Sequence, residues 1–368
     1  MSAEKKQPIR VLIADDSYFM RKVLTEMLED SEGAIQVVDC AQNGWEAVEK
    51  NKALNPDVIT LDVEMPKLDG LSALQRIMLE HPTPVVMVSS HTAKGTEAAV
   101  RALEIGAVDC VAKPSGRLMG NIRAVQGELV EKIKVAALCR IRQRSGPQAA
   151  VRENAEEKAP AKPAEPSKPQ PEKPALFVVA VASSTGGPRA LNELFTRLKK
   201  NTGVAFVVVQ HISTGFSKAL ARRLSDVSQV TVSEAEKGNV LLEGHAYVAP
   251  GGVHLVLEGG PGCYRIDFND LPPRLGVKPS ADLMMASVAK MAGNQCAGVV
   301  LTGMGRDGTA GMKEIRKAGG KTFAQDEKSC VVYGMPKSAV EAGVVDQQLV
   351  LSRMAEEINQ LAPRRKES

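Results

Sequence analysis

From Glu153 to Pro174 the chain reads ENAEEKAPAKPAEPSKPQPEKP, a stretch that holds six of its 21 prolines and almost nothing large and apolar. A segment of that kind has no surface worth burying, and its prolines favour extended conformers. It reads as an interdomain linker, and it divides the 368 residues into two parts, each long enough for its own core. The expected organisation is a first domain over 1–125, a helix and Pro/Ala/Lys/Glu-rich linker over 126–175, and a second domain over 176–368.

Both parts alternate apolar β-type runs with helical patterns. Before the linker the runs are IRVLIAD (9–15), IQVVDCA (35–41), DVITLD (57–62), PVVMVSS (84–90) and AVDCVAK (107–113), with a long final helix over 118–143. After it come LFVVAVASS (176–184), AFVVVQH (205–211), GHAYVAPG (244–251), HLVLE (254–258), YRIDF (264–268), AGVVLTG (297–303) and KTFAQD (321–326). Strands apolar on both faces, alternating with helices, indicate parallel sheets covered on both sides. The predicted class is α/β, with two doubly wound parallel-sheet domains. The stretch around 230–270 reads as an antiparallel or edge elaboration.

Composition excludes several classes. The net charge of +4 is too mild to argue for nucleic acid or a membrane surface. The six cysteines show no CxxC or His/Cys cluster, which disfavours structural zinc and fits reduced thiols. The start, MSAEKKQPIR, lacks an apolar signal core, and no apolar run approaches the ~18 residues of a spanning helix. A soluble, cytoplasmic protein without membrane insertion is expected.

In a parallel sheet the C-terminal ends of all strands open on one edge. Asp15 and Asp16 end the first strand, Asp62 the third, Ser89 lies near the end of the fourth, and Lys113, followed by Pro114, closes the fifth. Crowded carboxylates call for a hard divalent cation such as Mg2+. One of them could then attack a phosphoryl group while Lys113 offsets the developing charge. Singly, each acid could be a cap or a strand end; their recurrence on successive strand ends favours a site.

In the second part, Ser183-Ser184-Thr185-Gly186-Gly187-Pro188 links an apolar strand to a helix. The N–H groups there could cradle a phosphate or serve as an oxyanion hole beside a nucleophile. His211 ends the next strand, and Asp307 follows AGVVLTG in the loop LTGMGRDG. Hydroxyl, imidazole and carboxylate on one sheet edge meet the requirement for a Ser-His-Asp relay. Alone, Asp307 reads as a helix N-cap before Gly308-Thr309, and His245 and His254 read as structural.

VLIADDS, LDVEMPKLDG, VMVSS and Lys113-Pro114 resemble the response-regulator receiver domain over about 8–125, a flavodoxin-like fold. The resemblance implies Asp62 as phospho-acceptor, Asp15 and Asp16 as metal-site acids, Lys113 as phosphate contact and Ser89 as switch hydroxyl. Receivers usually carry an aromatic switch residue where this chain has Cys110. SSTGGP, QHISTGF, GHAYVAPGG, LTGMGRDG and CVVYGMP resemble the catalytic domain of the chemotaxis protein-glutamate methylesterases over about 176–350. That resemblance implies Ser184 as nucleophile, His211 as base and Asp307 as orienting acid. Thr185, Gly186 and the Met304 backbone become oxyanion or support candidates. That family usually has Gly-Ala before the nucleophile, whereas this chain has Ala182-Ser183; Ser184 is favoured because it directly precedes Thr-Gly-Gly.

The implied function is phosphorylation-activated hydrolysis of glutamate γ-methyl esters on the cytoplasmic domain of methyl-accepting chemoreceptors, with deamidation of receptor glutamines. A chemotaxis-type histidine kinase would be the phosphodonor, Mg2+ would serve receiver phosphorylation only, and ester hydrolysis would need no cofactor. A non-catalytic regulator that binds a phosphorylated ligand at the Gly-rich turn is the competing reading. A DNA-binding output is disfavoured by the mild charge and the strand–helix alternation.

Overall fold

The computed structural model describes residues 7–31, 33–90, 92–113, 122–139, 173–200 and 203–361. The expected linker lies outside them except for its last two residues, as do Pro114 and the outer ends of the helix expected over 118–143.

The first part runs β1 (Ile9–Ala14), α1 (Tyr18–Glu29), β2 (Ile35–Ala41), α2 (Gly44–Leu54), β3 (Val58–Asp62), α3 (Gly70–Glu80), β4 (Val85–Ser89), α4 (Ala93–Ile105), β5 (Asp109–Ala112) and α5 (Ile122–Leu138). Its sheet is parallel, in the order β2-β1-β3-β4-β5. β3 and β4 are buried along their whole length, as continuous apolar runs with helices on both faces demand. Local chemistry starts the helices: the side chains of Ser17, Asn43, Asp69 and Thr92 each accept from the backbone N–H three residues on.

The second part runs β6 (Phe177–Ser183), α6 (Gly187–Phe195), β7 (Val204–Gln210), α7 (Phe216–Val227), β8 (Thr231–Glu234), β9 (His245–Val248), β10 (His254–Glu258), β11 (Arg265–Asn269), α8 (Ala281–Ala292), β12 (Cys296–Val300), α9 (Thr309–Lys317), β13 (Lys321–Gln325), α10 (Met335–Glu341), β14 (Gln347–Leu349) and α11 (Leu351–Gln360). Seven strands form one parallel sheet, ordered β14-β13-β12-β6-β7-β9-β8. Every residue of β6 and β7 is buried. One core packs α8 to α10 against one face, and another packs α6, α7 and α11 against the other.

The region around 230–270 divides in two. β8 and β9 extend the sheet in parallel, whereas β10 and β11 pair antiparallel as a separate hairpin. β8 and β14 are absent from the strand expectations because they are short, polar edge strands with no apolar run. Such edges are rewarded by pairing rather than by burial.

Strand order positions both sites. In an open parallel sheet a crevice forms at the strand C-termini wherever the order reverses. The first sheet reverses between β1 and β3, so Asp15, Asp16 and Asp62 flank its crevice. The second reverses between β6 and β12, placing Ser184 and the 301–308 loop at the other.

The two parts are packed together. α4 lies along α6 and α7, Val100 of α4 joins the core of the second part, and Ile212 and Phe216 join that of the first. Glu97 pairs with Arg222 at 2.8 Å and Glu104 with Arg223 at 2.6 Å.

Candidate active site and receiver site

Ser183 and Gln210 are partners in the β6–β7 ladder, so Ser184 and His211 are the first residues beyond two adjacent strands. The hydroxyl of Ser183 is fully buried and donates to Gln210 Oε1 at 2.7 Å. Ser184 is only partly buried. Gln210 Nε2 donates to the carbonyls of both Ser184 and His211 at 2.9 Å, clamping the two loops together. Strand apolarity signals none of this; a glutamine at the end of a buried strand, needing several partners, is the only hint.

The turn after Ser184 needs its glycines. Gly186 has φ +76, and a Cβ there would lie 2.5 Å from Val331. A Cβ on Gly187 would lie 1.9 Å from Gln210 Oε1. Gly303 sits so close that a Cβ would come within 2.7 Å of Ser184 Cβ, so a glycine lets this loop pass against the serine. Thr302, absent from the sequence reading, donates through Oγ1 to the Thr185 carbonyl at 3.0 Å and so ties the two loops from below.

His211 Nε2 lies 2.9 Å from Asp307 Oδ2. Asp307 is not the cap of α9, whose N-cap is Gly308. It crosses instead to the start of α8, accepting from Ser280 Oγ at 2.9 Å, Ala281 N at 2.6 Å and Asp282 N at 3.0 Å. Asp282 returns the favour, accepting from Gly308 and Gly311 N at the start of α9 at 2.9 and 2.8 Å. Burial raises the carboxyl pKa of Asp307, but its bonds to His211 and the α8 N–H groups outweigh that and hold it below the usual range. The acid is thereby fixed as a carboxylate aimed at the imidazole. Among the described residues Ser184 Oγ has no hydrogen bond to His211; such bonds commonly close only once substrate is in place. His254 is structural: buried, it accepts from Ser280 N at its Nδ1 at 3.0 Å.

The Thr185 hydroxyl points away from the crevice and donates to Asp109 Oδ2 of β5 at 2.8 Å. Ser213, two residues past His211, donates to Glu128 of α5 at 2.6 Å. Lys132 joins these acids, 3.0 Å from Asp109 and 2.9 Å from Glu128. Burial alone would favour its neutral amine, but the two carboxylates reverse that and keep it charged. The first part thus grips both loops that carry Ser184 and His211.

In the first part, ligand atoms of Asp15, Asp16 and Asp62 lie within 4.8 Å of one another. Asp15 and Asp62 are buried, and Lys113 Nζ bridges them at 2.6 and 2.7 Å. All-oxygen, anionic donors fit a hard divalent cation such as Mg2+. Ser89 is at the strand end as expected, but its hydroxyl donates to the Gly95 carbonyl at 2.9 Å and not toward Asp62. Cys110 is fully buried, and burial pushes its thiol up to about 12, so it packs as a small apolar group.

Burial pushes Asp62 up to about 6 from 3.8, with Asp15 adding to the rise and Lys113 opposing it. A raised folded-state pKa stabilises below the unfolded value and loses that contribution as pH rises through about 6. At pH 7 the ionised form therefore costs at most about 3 kcal/mol. Asp62→Asn is expected to raise Tm at pH 7 in metal-free buffer. The gain should vanish near pH 4 and shrink when Mg2+ is added. Thermal unfolding of both chains across pH checks this, and equal Tm values at pH 7 would refute it.

Comparison with known proteins identifies the family of each part. The CheB methylesterase family model matches residues 179–358, and the response regulator receiver domain model matches residues 11–122. A protein-glutamate methylesterase/protein-glutamine glutaminase of Pyrococcus abyssi is 43% identical over 350 residues, 95% of this chain and 92% of that protein. One of Symbiobacterium thermophilum is 44% identical over 367 residues, 97% of this chain and 98% of its own. The crystal structure of the Thermotoga maritima CheB methylesterase catalytic domain is 39% identical and covers 51% of this chain and 99% of that one, with a TM-score of 0.50. With near full-length relatives at this identity, and receiver and methylesterase models matching in succession, the chain belongs to the CheB methylesterase family.

Proposed function

We propose that the chain hydrolyses glutamate γ-methyl esters, and deamidates glutamines, on the cytoplasmic domain of methyl-accepting chemoreceptors. Ser184, His211 and Asp307 carry the reaction, and the domain division falls at 126–175. The observation that carries this is the His211–Asp307 pair at 2.9 Å in the crevice beside Ser184. Asp307 takes the proton side of His211 Nε2, which leaves Nδ1 as the basic nitrogen. Ser184 Oγ attacks the ester carbonyl while His211 accepts its proton. His211 then hands that proton to the departing methoxide, giving methanol and an acyl-enzyme. Water, activated by the same histidine, splits the acyl bond and frees the glutamate. With an amide the leaving group is ammonia. The N–H groups of Thr185, Gly186 and Met304 are the candidate donors to the developing oxyanion. A fluorophosphonate probe is expected to label Ser184; its failure to label would favour the ligand-binding reading.

Asp15, Asp16 and Asp62 would hold Mg2+, which would supply positive charge for the phosphoryl oxygens. Asp62 is the acceptor carboxylate, Lys113 offsets part of the pocket's negative charge, and Ser89 must turn from Gly95 to meet the phosphate. The phosphodonor is a chemotaxis-type histidine kinase, and the setting is the cytoplasm; no helix among the described residues is long and apolar enough to cross a membrane.

The docked receiver holds the enzyme back through Asp109, Glu128 and α4, and phosphorylation shifts the population to an open state. The Glu97–Arg222 and Glu104–Arg223 pairs are solvent-facing, and such pairs are worth about 0.2–1 kcal/mol each. Arg222→Glu combined with Arg223→Glu is therefore expected to raise unphosphorylated turnover several-fold, and a 176–368 fragment to raise it more. Equal methanol release by fragment and full chain, both unphosphorylated, would count against inhibition by docking.

A further inference from the structure

The cleft beside the His211–Asp307 pair, about 450 Å3 in volume, is lined in part by Leu275, Val277, Met304 and Arg306. Leu275 is 48% exposed and Met304 47%. Arg274 and Val277 exchange both backbone hydrogen bonds, at 3.1 and 3.0 Å, across a two-residue tip. Both tip residues are left-handed, Leu275 at φ +52 and Gly276 at φ +80. This turn favours Asn-Gly or Asp-Gly, because a bulky side chain is disfavoured at positive φ. Leu275 is therefore rewarded neither by its backbone nor by burial.

Two ion pairs and a backbone hydrogen bond tether the turn. Lys278 pairs with Asp270 at 2.5 Å, and its carbonyl accepts from Gly252 N at 3.2 Å. Arg274 Nε stands 3.5 Å from Asp282, which accepts from Gly308 and Gly311 N at the start of α9. An apolar side chain is thus held in a disfavoured conformation on the rim of the cleft that His211 and Asp307 line. Backbone strain retained at such a place points to a function.

The chemistry of the reaction supplies one. A glutamate γ-methyl ester is neutral and ends in a methyl group, whereas its hydrolysis product is a carboxylate. Apolar surface beside the reacting carbon binds the first and resists desolvating the second. We propose that Leu275 is a specificity-determining residue, packing with Met304 against the esterified side chain of the receptor segment and favouring release of the ionised product. The proposal rests on the hydrolase reading above.

Leu275→Asn tests it, since asparagine suits the turn and keeps the fold. Tm is expected to be unchanged or higher. With a methylated receptor cytoplasmic fragment as substrate, KM should rise about tenfold, the equivalent of most of a leucine contact, with kcat within about twofold. The demethylated fragment should become a stronger inhibitor relative to KM, the rate of fluorophosphonate labelling at Ser184 should be unchanged, and Leu275→Met should restore KM. An unchanged KM in Leu275→Asn overturns the proposal, as does a matching fall in labelling rate, which would place the residue in the chemistry. If the unmodified chain neither takes the label nor releases methanol, the hydrolase reading has failed first, and this proposal goes with it.

Discussion

Ser184→Ala is expected to lose essentially all methanol release, a fall of roughly 10^5–10^6 in kcat, with receiver phosphorylation intact. Ser183→Ala is the informative partner. The Ser183 hydroxyl is sealed in the core and its hydrogen goes to Gln210 Oε1 at 2.7 Å. Its removal leaves a buried acceptor unpaired, at a cost of about 1–3 kcal/mol in stability. Because Gln210 also clamps the Ser184 and His211 carbonyls, activity should slip, but by no more than about tenfold. Methanol release and thermal unfolding of the two variants decide the matter. If Ser183→Ala is the dead enzyme and Ser184→Ala turns over, the nucleophile is assigned one residue too late.

The legibility of this pair in sequence has a physical limit. Strand periodicity places both serines at the end of a buried strand, but in a strand consecutive residues point to opposite sides. Periodicity does not say which one faces the crevice; in three dimensions Ser183 is buried with its hydroxyl on Gln210, and Ser184 is partly exposed. The carboxylates of the receiver were easier to read. Asp15, Asp16, Asp62 and Lys113 all lie at or just past strand ends, and a parallel sheet brings all such ends to one edge whatever its strand order. Ser89 shows the converse: its place at a strand end was legible, but the direction of its hydroxyl, toward Gly95, was not.

Contacts between elements distant in sequence left the weakest trace. Thr185 reads as part of a Gly-rich turn, yet its side chain is committed to Asp109 on the other sheet, 76 positions away. Ser280 and Asp282 look like ordinary helix-start residues, and nothing local links them to Asp307 or Gly308. Reading Asp307 as a possible cap had the right chemistry and the wrong helix. A carboxylate near a helix start satisfies any N–H group within reach, and packing of α8 against α9 decides whose.

That double duty makes Asp307→Asn the sharpest test of the proposed relay. The carboxylate accepts from His211 Nε2 and from three donors at the start of α8. An amide keeps the shape but has one acceptor oxygen, and its NH2 facing His211 would stabilise the opposite tautomer, with the proton on Nδ1 where the base is needed. Loss of about 10^4 in kcat is expected, with KM little changed. Stability should fall too, by about 1–3 kcal/mol at neutral pH. Because His211 and the α8 donors hold Asp307 below its usual pKa, its contribution is present above about pH 4 and lost as pH falls further, so the two proteins should converge in stability in acid. Ser280→Ala separates the two roles. It removes one capping bond and leaves the imidazole contact, so it should cost about 1 kcal/mol while kcat stays within a few-fold. If Asp307→Asn and Ser280→Ala instead lose activity in proportion to stability, Asp307 is a helix cap that happens to touch a histidine, and the base must be oriented by another group.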